Sequence, residues 1–553
     1  MKKILYPILG LAMLFGACED RLDIEQKGVV PADQFYQTDD DAENALNNLY
    51  QSCCLNIKGK PNGIYVALPL LINEAGDDLL AAGNMYGDND FGAEINEFRY
   101  GITNEVIKNA YLGFYGVIYD ANLILTNVAD DSPVKKRVRA EARTLRAWCH
   151  MMLAILWDCP PLVDRLLNAD ELPTNYEGGH DALLQWCADE ANAAVADLDE
   201  RTSTQDEVGA SRVTKGMALT VAGKALLFKG DYAGAKTALK QVISSGKYAL
   251  VPTERWANLF HVSGDLSEEM VFQLNHVAND NIGDWSNNIQ RSGWMFSQFW
   301  NWRTDKMANK PSFIGVDGWG GHAIRADFAR EMLANDGDSP RRKATFLTED
   351  EFLYEMAWNT VDGLSREQLE TSDQIGIKAE SGLYGFENFF AKKIIAWAED
   401  CPKGNWGFKN MTIFRYAEVL LMYAECCAQT GDNDGLQYLQ AIQKRAGSAH
   451  ISTTLTLEEV KNEKKFEMWA ECVRFPDIVR WGETDRLANN GKNIPTTYDA
   501  FFTKGESKHR HYVEYSNPNK GETGFKKGVH EYFPFPEAAT SVNPNLKQNP
   551  SGL

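Results

Sequence analysis

Apolar residues return every three or four positions along several stretches of the chain, and this period predicts helices. In residues 38–51 the stripe is Ala42, Ala45, Leu46, Leu49 and Tyr50, with Thr38 placed to cap and Asp41 three residues on. The same period predicts helices at roughly 105–128, 135–157 and 181–198. Between Arg212 and Leu250 it runs twice. Val213, Met217, Thr220, Gly223 and Leu227 form one stripe, and Ala233, Ala235, Ala238, Leu239 and Val242 form the next. Gly230-Asp231 separates them: glycine permits a left-handed turn and aspartate caps the second helix. Small residues at Ala222, Ala225 and Ala235 let the two helices approach closely. Residues 413–447 repeat the plan, with Gly431-Asp432 between the stripes and Leu436, Leu439 and Ile442 in the second. One helical pair cannot bury its own apolar face, so pairs must stack. The pattern predicts a mainly α fold: a tetratricopeptide-like scaffold of helix pairs.

Elsewhere the period fades. Residues 56–104 read as loop-rich, with many Gly, Asn and Asp. Across 251–410 short loops alternate with strand-like runs, and five of the fourteen tryptophans fall between Trp285 and Trp319. The tail beyond Asn490 is irregular and rich in Asn, Lys and Pro. The expected organisation is a leader at 1–17, helical repeats at 18–250, an inserted aromatic, loop-rich subdomain with short strands at 251–410, and 411–553 completing the scaffold.

Composition narrows the function. A 553-residue chain that is 44% hydrophobic can bury a sizeable core, and its net charge of −21 argues against nucleic acid as the main partner. The ten cysteines include no C-x-x-C, so buried free thiols are expected rather than a metal site or a disulfide framework. Lys2-Lys3, the apolar run 4–15 and the small residues Gly16-Ala17 before Cys18 form a targeting segment too short to span a membrane comfortably. Gly-Ala-Cys resembles a bacterial lipobox, which implies a lipid-modified Cys18 at the mature N-terminus.

Ordered motifs along nearly the whole chain resemble the SusD/RagB family of outer-membrane nutrient-binding lipoproteins. They are the first helix FYQTDDDAENALNNLY from Phe35, EARTLRAWCHMMLAILWDCPPLV from Glu141 and VTKGMAL from Val213. Further on come DGDSPRR from Asp336, RYAEVLLMYAEC from Arg415, AIQKRAG from Ala441, EKKFEMWAECVRFPDIVRWG from Glu463 and FPFPEAATSVNPNLKQNP from Phe533. Cys472 stands where the family's pattern has Gly, and HAIRADFAREM after Trp319 is atypical. The resemblance implies a non-catalytic protein of the outer-membrane surface. It would bind an oligosaccharide and deliver it to a TonB-dependent SusC-like transporter, without a cofactor. A RagB-like peptide ligand and a surface glycosidase are the alternatives.

Three groups of residues carry candidate chemistry. Glu463, Glu467, Glu471 and Arg474 share a helical spacing. Paired carboxylates suit glycoside hydrolysis, but alternating signs at this spacing favour an ion network in which Arg474, Arg480 and Arg415 neutralise the acids. Glu74, Asp77 and Asp78 read the same way. Trp294, Trp300 and Trp302 lie among Asn287, Asn288 and Arg291. A flat indole suits the C–H face of a pyranose, and amides and guanidinium groups suit its hydroxyls. These rings are either core or a ligand platform; an extended backbone would put Trp300 and Trp302 on one face. Trp319, in a Gly-Trp-Gly that the family often shows, reads as structural. Tyr86, Asp88 and Asn89 form a second candidate edge. The histidines are scattered; His509 and His511 in the polar tail read as an exposed loop, with a metal site the alternative, and no catalytic or nucleotide-binding motif is present.

Overall fold

The computed structural model describes residues 35–54, 64–81, 90–276, 300–306, 311, 313–348, 351–352, 385–386, 389–402, 407–491, 497–501, 509–513 and 518–553. Its N-terminal elements are α1 (Asp39–Cys54), α2 (Ile64–Glu74), β1 (Leu79–Ala81), α3 (Asp90–Asn96), α4 (Glu105–Asn127), α5 (Pro133–Trp157) and α6 (His180–Ala194). The first repeat pair comes next, α7 (Lys215–Lys229) and α8 (Tyr232–Ser244). The middle of the chain holds β2 (Met270–Leu274), β3 (His322–Ile324), α9 (Ala326–Asp336), α10 (Pro340–Thr345), β4 (Phe346–Thr348), β5 (Gly385–Phe386), β6 (Phe389–Ala391) and β7 (Met411–Arg415). The second pair is α11 (Tyr416–Thr430) and α12 (Leu436–Ala446), followed by α13 (Leu457–Glu467), α14 (Arg474–Arg480), β8 (Thr497–Phe501) and β9 (His509–Val513). The fold is mainly helical, as the apolar period predicts.

Both helix pairs form for the reasons written in their sequences. Gly230 ends α7 at φ 85° and Gly431 ends α11 at φ 70°, the left-handed region that glycine enters without strain. Asp231 then caps α8 by accepting the Gly234 N–H at 2.9 Å. Within the first pair, Gly223 faces Leu239 so closely that an added Cβ would lie 2.6 Å from the leucine Cγ. The two pairs stack through α8 and α11, and a buried Lys224–Glu418 bridge of 2.8 Å joins α7 to α11. Lys236 and Lys240 on α8 reach Asp432 at 3.0 Å and Asp434 at 2.8 Å, in the turn after α11. One apolar core runs through the scaffold from Ala42 to Leu546.

The strands are short and paired antiparallel: β1 with β3, β2 with β7, β4 with β6, and β5–β8–β9. Thus 251–410 carries the short strands β2 to β6, and β2 pairs with β7, which lies just beyond residue 410.

One expectation changes, and the tail shows how it completes the scaffold. The stretch 56–104 holds α2 and α3. The run IYVALPLLINE is apolar nearly all round and contains Pro69, so it shows no amphipathic period; it is helical because it is enclosed by the core. The irregular tail is also core. Phe533 and Phe535 are fully buried, the Trp157 indole donates to the Pro534 carbonyl at 2.9 Å, and Asn549 donates to the Trp157 carbonyl at 3.1 Å. None of the nine described cysteines forms a disulfide, and most are buried.

Candidate functional site

The β1–β3 pair brings distant segments to one edge. Ala81 lies opposite His322, so the chain leaves β1 beside the approach to β3 at 319–321. The root of this edge is strongly fastened. The Asp78 carbonyl accepts from the Arg325 N–H at 3.1 Å and the Trp469 indole at 3.2 Å. Asn96 donates to the Glu74 and Leu79 carbonyls at 2.8 and 3.2 Å.

The three acids beside it are structural. Glu74 pairs with His322, both buried; burial raises the Glu74 carboxyl and the imidazole only partly offsets it. Asp77 accepts two bonds from Arg474, at 2.7 and 2.8 Å, and one from Arg486 at 2.7 Å. Against its burial, those guanidinium groups hold it well below the usual carboxylate range. Asp78 is pushed up to about 7, by burial first and by neighbouring Asp77 second.

The aromatic segment is arranged differently from the sequence expectation. Trp300 is 5% exposed and belongs to the main core, with its ring edge-on to His322 at 5.4 Å. Trp302 is 6% exposed and belongs to a smaller cluster, enclosed by Phe313, Phe352 and Phe390. Its indole N–H donates to the Ala391 carbonyl at 2.8 Å. The two rings therefore share no exposed face. A one-residue spacing aligns side chains only along a regular strand, and neither ring sits in one. Trp319 corrects the expectation in the other direction: the residue is 44% exposed. Its backbone is structural, but the glycines on either side in the sequence contribute no side chain to cover the ring, which is the signal the sequence offered. In the adjoining chain segments, Thr304 donates to Asp317, and Arg303 pairs with Asp305 at 2.8 Å. Trp294, Asn287, Asn288, Arg291, Tyr86, Asp88, Asn89 and Cys18 lie outside the described residues.

The carboxylates Glu463, Glu467 and Glu471 form the ion network that their spacing suggests, although not on one helix. α13 ends at Glu467, and Ala470 and Cys472 take φ 60° and 59° before α14 begins. Glu467, fully buried, accepts from Arg415 at 2.7 Å and Arg341 at 2.9 Å. Glu471 accepts from Arg415 and from Lys393, each at 2.6 Å. Glu463 pairs with Arg341, which also holds Asp336 at 2.8 Å. Burial opposes ionisation of Glu467, yet Arg445, Arg415 and Arg341 hold it well below the carboxylate range. These groups cement the scaffold and face inward.

A polar groove of about 370 Å³ between α4, α5 and α6 is lined by Lys136, Arg139, Arg143 and Arg165. Two of these cations meet acids, Arg143 pairing with Glu190 at 3.0 Å and Arg165 with Glu171, while Arg139 donates to the Leu125 and Val128 carbonyls at 2.8 and 2.6 Å.

Comparison with known proteins agrees with this architecture. A sequence profile of the SusD family matches residues 230–551, more than half of the chain. The curated SusD-like protein P25 of Formosa agariphila is 23% identical over 514 residues, which cover 84% of this chain and 87% of that protein. Among solved structures, surface glycan-binding protein A from Bacteroides thetaiotaomicron, in complex with laminarihexaose, aligns with a TM-score of 0.69 at 20% identity. That alignment covers 93% of this chain and 99% of the other. A laminarin binding SusD-like protein aligns with a TM-score of 0.71 at 22% identity, over 92% of this chain and 99% of that one.

Proposed function

Because the chain belongs to the SusD family, we propose that it binds an oligosaccharide at the cell surface and passes it to a SusC-like TonB-dependent transporter. The observation that carries the binding role is the exposed Trp319 ring at the β1–β3 edge. An indole face offers flat apolar area to the C–H face of a pyranose. The complex of one structural relative with laminarihexaose and the laminarin-binding name of another support a glycan as the ligand class. A non-catalytic role is supported by Glu463, Glu467 and Glu471: these carboxylates are engaged by arginines in the interior, where a glycosidase needs its acids at the substrate.

The test is calorimetric titration of the wild type and Trp319→Ala against a panel of soluble oligosaccharides that includes laminarihexaose. The wild type is expected to bind at least one, and Trp319→Ala to lose about 1–3 kcal/mol with an unchanged unfolding midpoint. A wild type that binds no glycan, or that releases reducing sugar, defeats the reading. The surface location rests on Cys18 as the lipidated N-terminus, so Cys18→Ala is expected to move the protein from the membrane pellet to the soluble fraction.

A further inference from the structure

Asn301 has no surface of its own, yet it joins three segments of the chain. It is fully buried between Trp300 and Trp302. Its side-chain amide is used at both ends: Nδ2 donates to the Val316 carbonyl at 2.8 Å and more weakly to the Ala396 carbonyl at 3.4 Å, while Oδ1 accepts the Ala396 N–H at 2.6 Å. Its backbone carbonyl accepts the Gly320 N–H at 3.0 Å, and the next carbonyl, of Trp302, accepts the Gly318 N–H at 2.9 Å. The span 316–320 is thus stitched to 301–302 at Val316, Gly318 and Gly320. Trp319 stands between the last two stitches. The fit is close: a Cβ added at Gly318 would lie 1.9 Å from the Asn301 carbonyl oxygen. Trp300 and Trp302 clamp Asn301 from either side, each in a different apolar cluster.

We propose that Asn301 is the positioning residue for the Trp319 ring, which it holds out from the β1–β3 edge by fixing the backbone on both sides. Trp300 and Trp302 then serve ligand binding as the anchors of this clasp rather than as platforms. The inference rests on the reading of Trp319 as the sugar-stacking ring. Its physical basis is preorganisation: a ring held on a rigid backbone loses little freedom when a ligand stacks on it.

A double-mutant cycle tests it, with Asn301→Ala, Trp319→Ala and the double variant titrated with the tightest-binding oligosaccharide of the panel. Hydroxyl-radical oxidation of Trp319, read by mass spectrometry, is measured alongside. Tyr119, 57% exposed on α4, serves as the internal control. Asn301→Ala is expected to weaken binding about tenfold, and the double variant to bind no more weakly than Trp319→Ala alone, since a residue acting through the ring has nothing left to act on. Oxidation of Trp319 should change while that of Tyr119 does not. This second reading requires no ligand. Losses that multiply, or unchanged oxidation and affinity in Asn301→Ala when Trp319→Ala is weakened, overturn the positioning role alone. Full binding by Trp319→Ala overturns the platform and, with it, the clasp. Should Asn301→Ala fail to fold, Gly318→Ala keeps the Asn301 side chain and displaces the same backbone. It is expected to show the same coupling, and independent losses there overturn the proposal.

Discussion

Glu467 is the residue on which the most charge depends. Arg341, Arg415 and Arg445 share it in the interior, and the Trp256 indole donates to it at 3.2 Å. Glu467→Gln leaves three buried guanidinium groups short of a counter-charge and is expected to cost about 3–5 kcal/mol of folding stability, measured by denaturant unfolding. The pH dependence has a definite sign. A carboxyl held below its ordinary value of 4.5 contributes stability that is complete above that value and drains as pH falls through the lower, folded-state value. Glu471 acts in the same sense; Glu463, raised because burial outweighs Arg341, acts in the opposite one. The wild type should therefore lose stability as the pH falls below about 4.5, and Glu467→Gln should lose less over the same range. The pairing of these acids with arginines was legible in their alternating signs, and of the three arginines expected Arg415 does meet Glu467 and Glu471. Arg474 and Arg480 turn instead to Asp77 and to Glu425 and Asp477, and Arg341 and Arg445, which no local spacing points to, take their place.

At the scale of elements, the turn between α13 and α14 shows what a departure from a family pattern means physically. Cys472 sits at φ 59°, where glycine would be unstrained, and its N–H is held by the Asn73 side chain at 2.9 Å. Cys472→Gly is expected to stabilise the protein by about 0.5–1 kcal/mol, because relief of left-handed strain exceeds the added freedom of the unfolded chain. A lowered unfolding midpoint would show that thiol packing matters more. The α7–α8 pair tests the complementary case. Gly223 is needed for space, so Gly223→Val should destabilise by about 1–3 kcal/mol through overpacking against Leu239. The caps at Gly230 and Gly431 were readable because each glycine is followed by a capping aspartate. α2 was not readable, since a helix that is apolar nearly all round has no polar face to mark its period.

For the whole molecule, the C-terminal segment closes the scaffold. It is stitched to α5 through Trp157, Pro534 and Asn549, and it contributes Phe533 and Phe535 to the core. Removing residues 533–553 strips two fully buried phenylalanines and leaves the Trp157 indole without its acceptor. A loss of about 3–6 kcal/mol is expected from the aromatic burial alone, read as a lower midpoint in urea. An unchanged midpoint would mean that the helical scaffold stands without its tail.

The sequence by itself determined the helix-pair scaffold, its glycine stops, the ion network in outline and the kinship with the SusD family, because each is written in local spacing or in ordered motifs. Only the tertiary structure decided which of Trp300, Trp302 and Trp319 reaches solvent. Trp300, Trp302 and Trp319 have the same side chain in similar company, and burial depends on what the rest of the chain places around each ring. Phe352 and Phe390 close over Trp302, His322 packs against Trp300, and the glycines beside Trp319 contribute no side chain to cover it. Local pattern records a residue's chemistry; long-range packing sets its exposure.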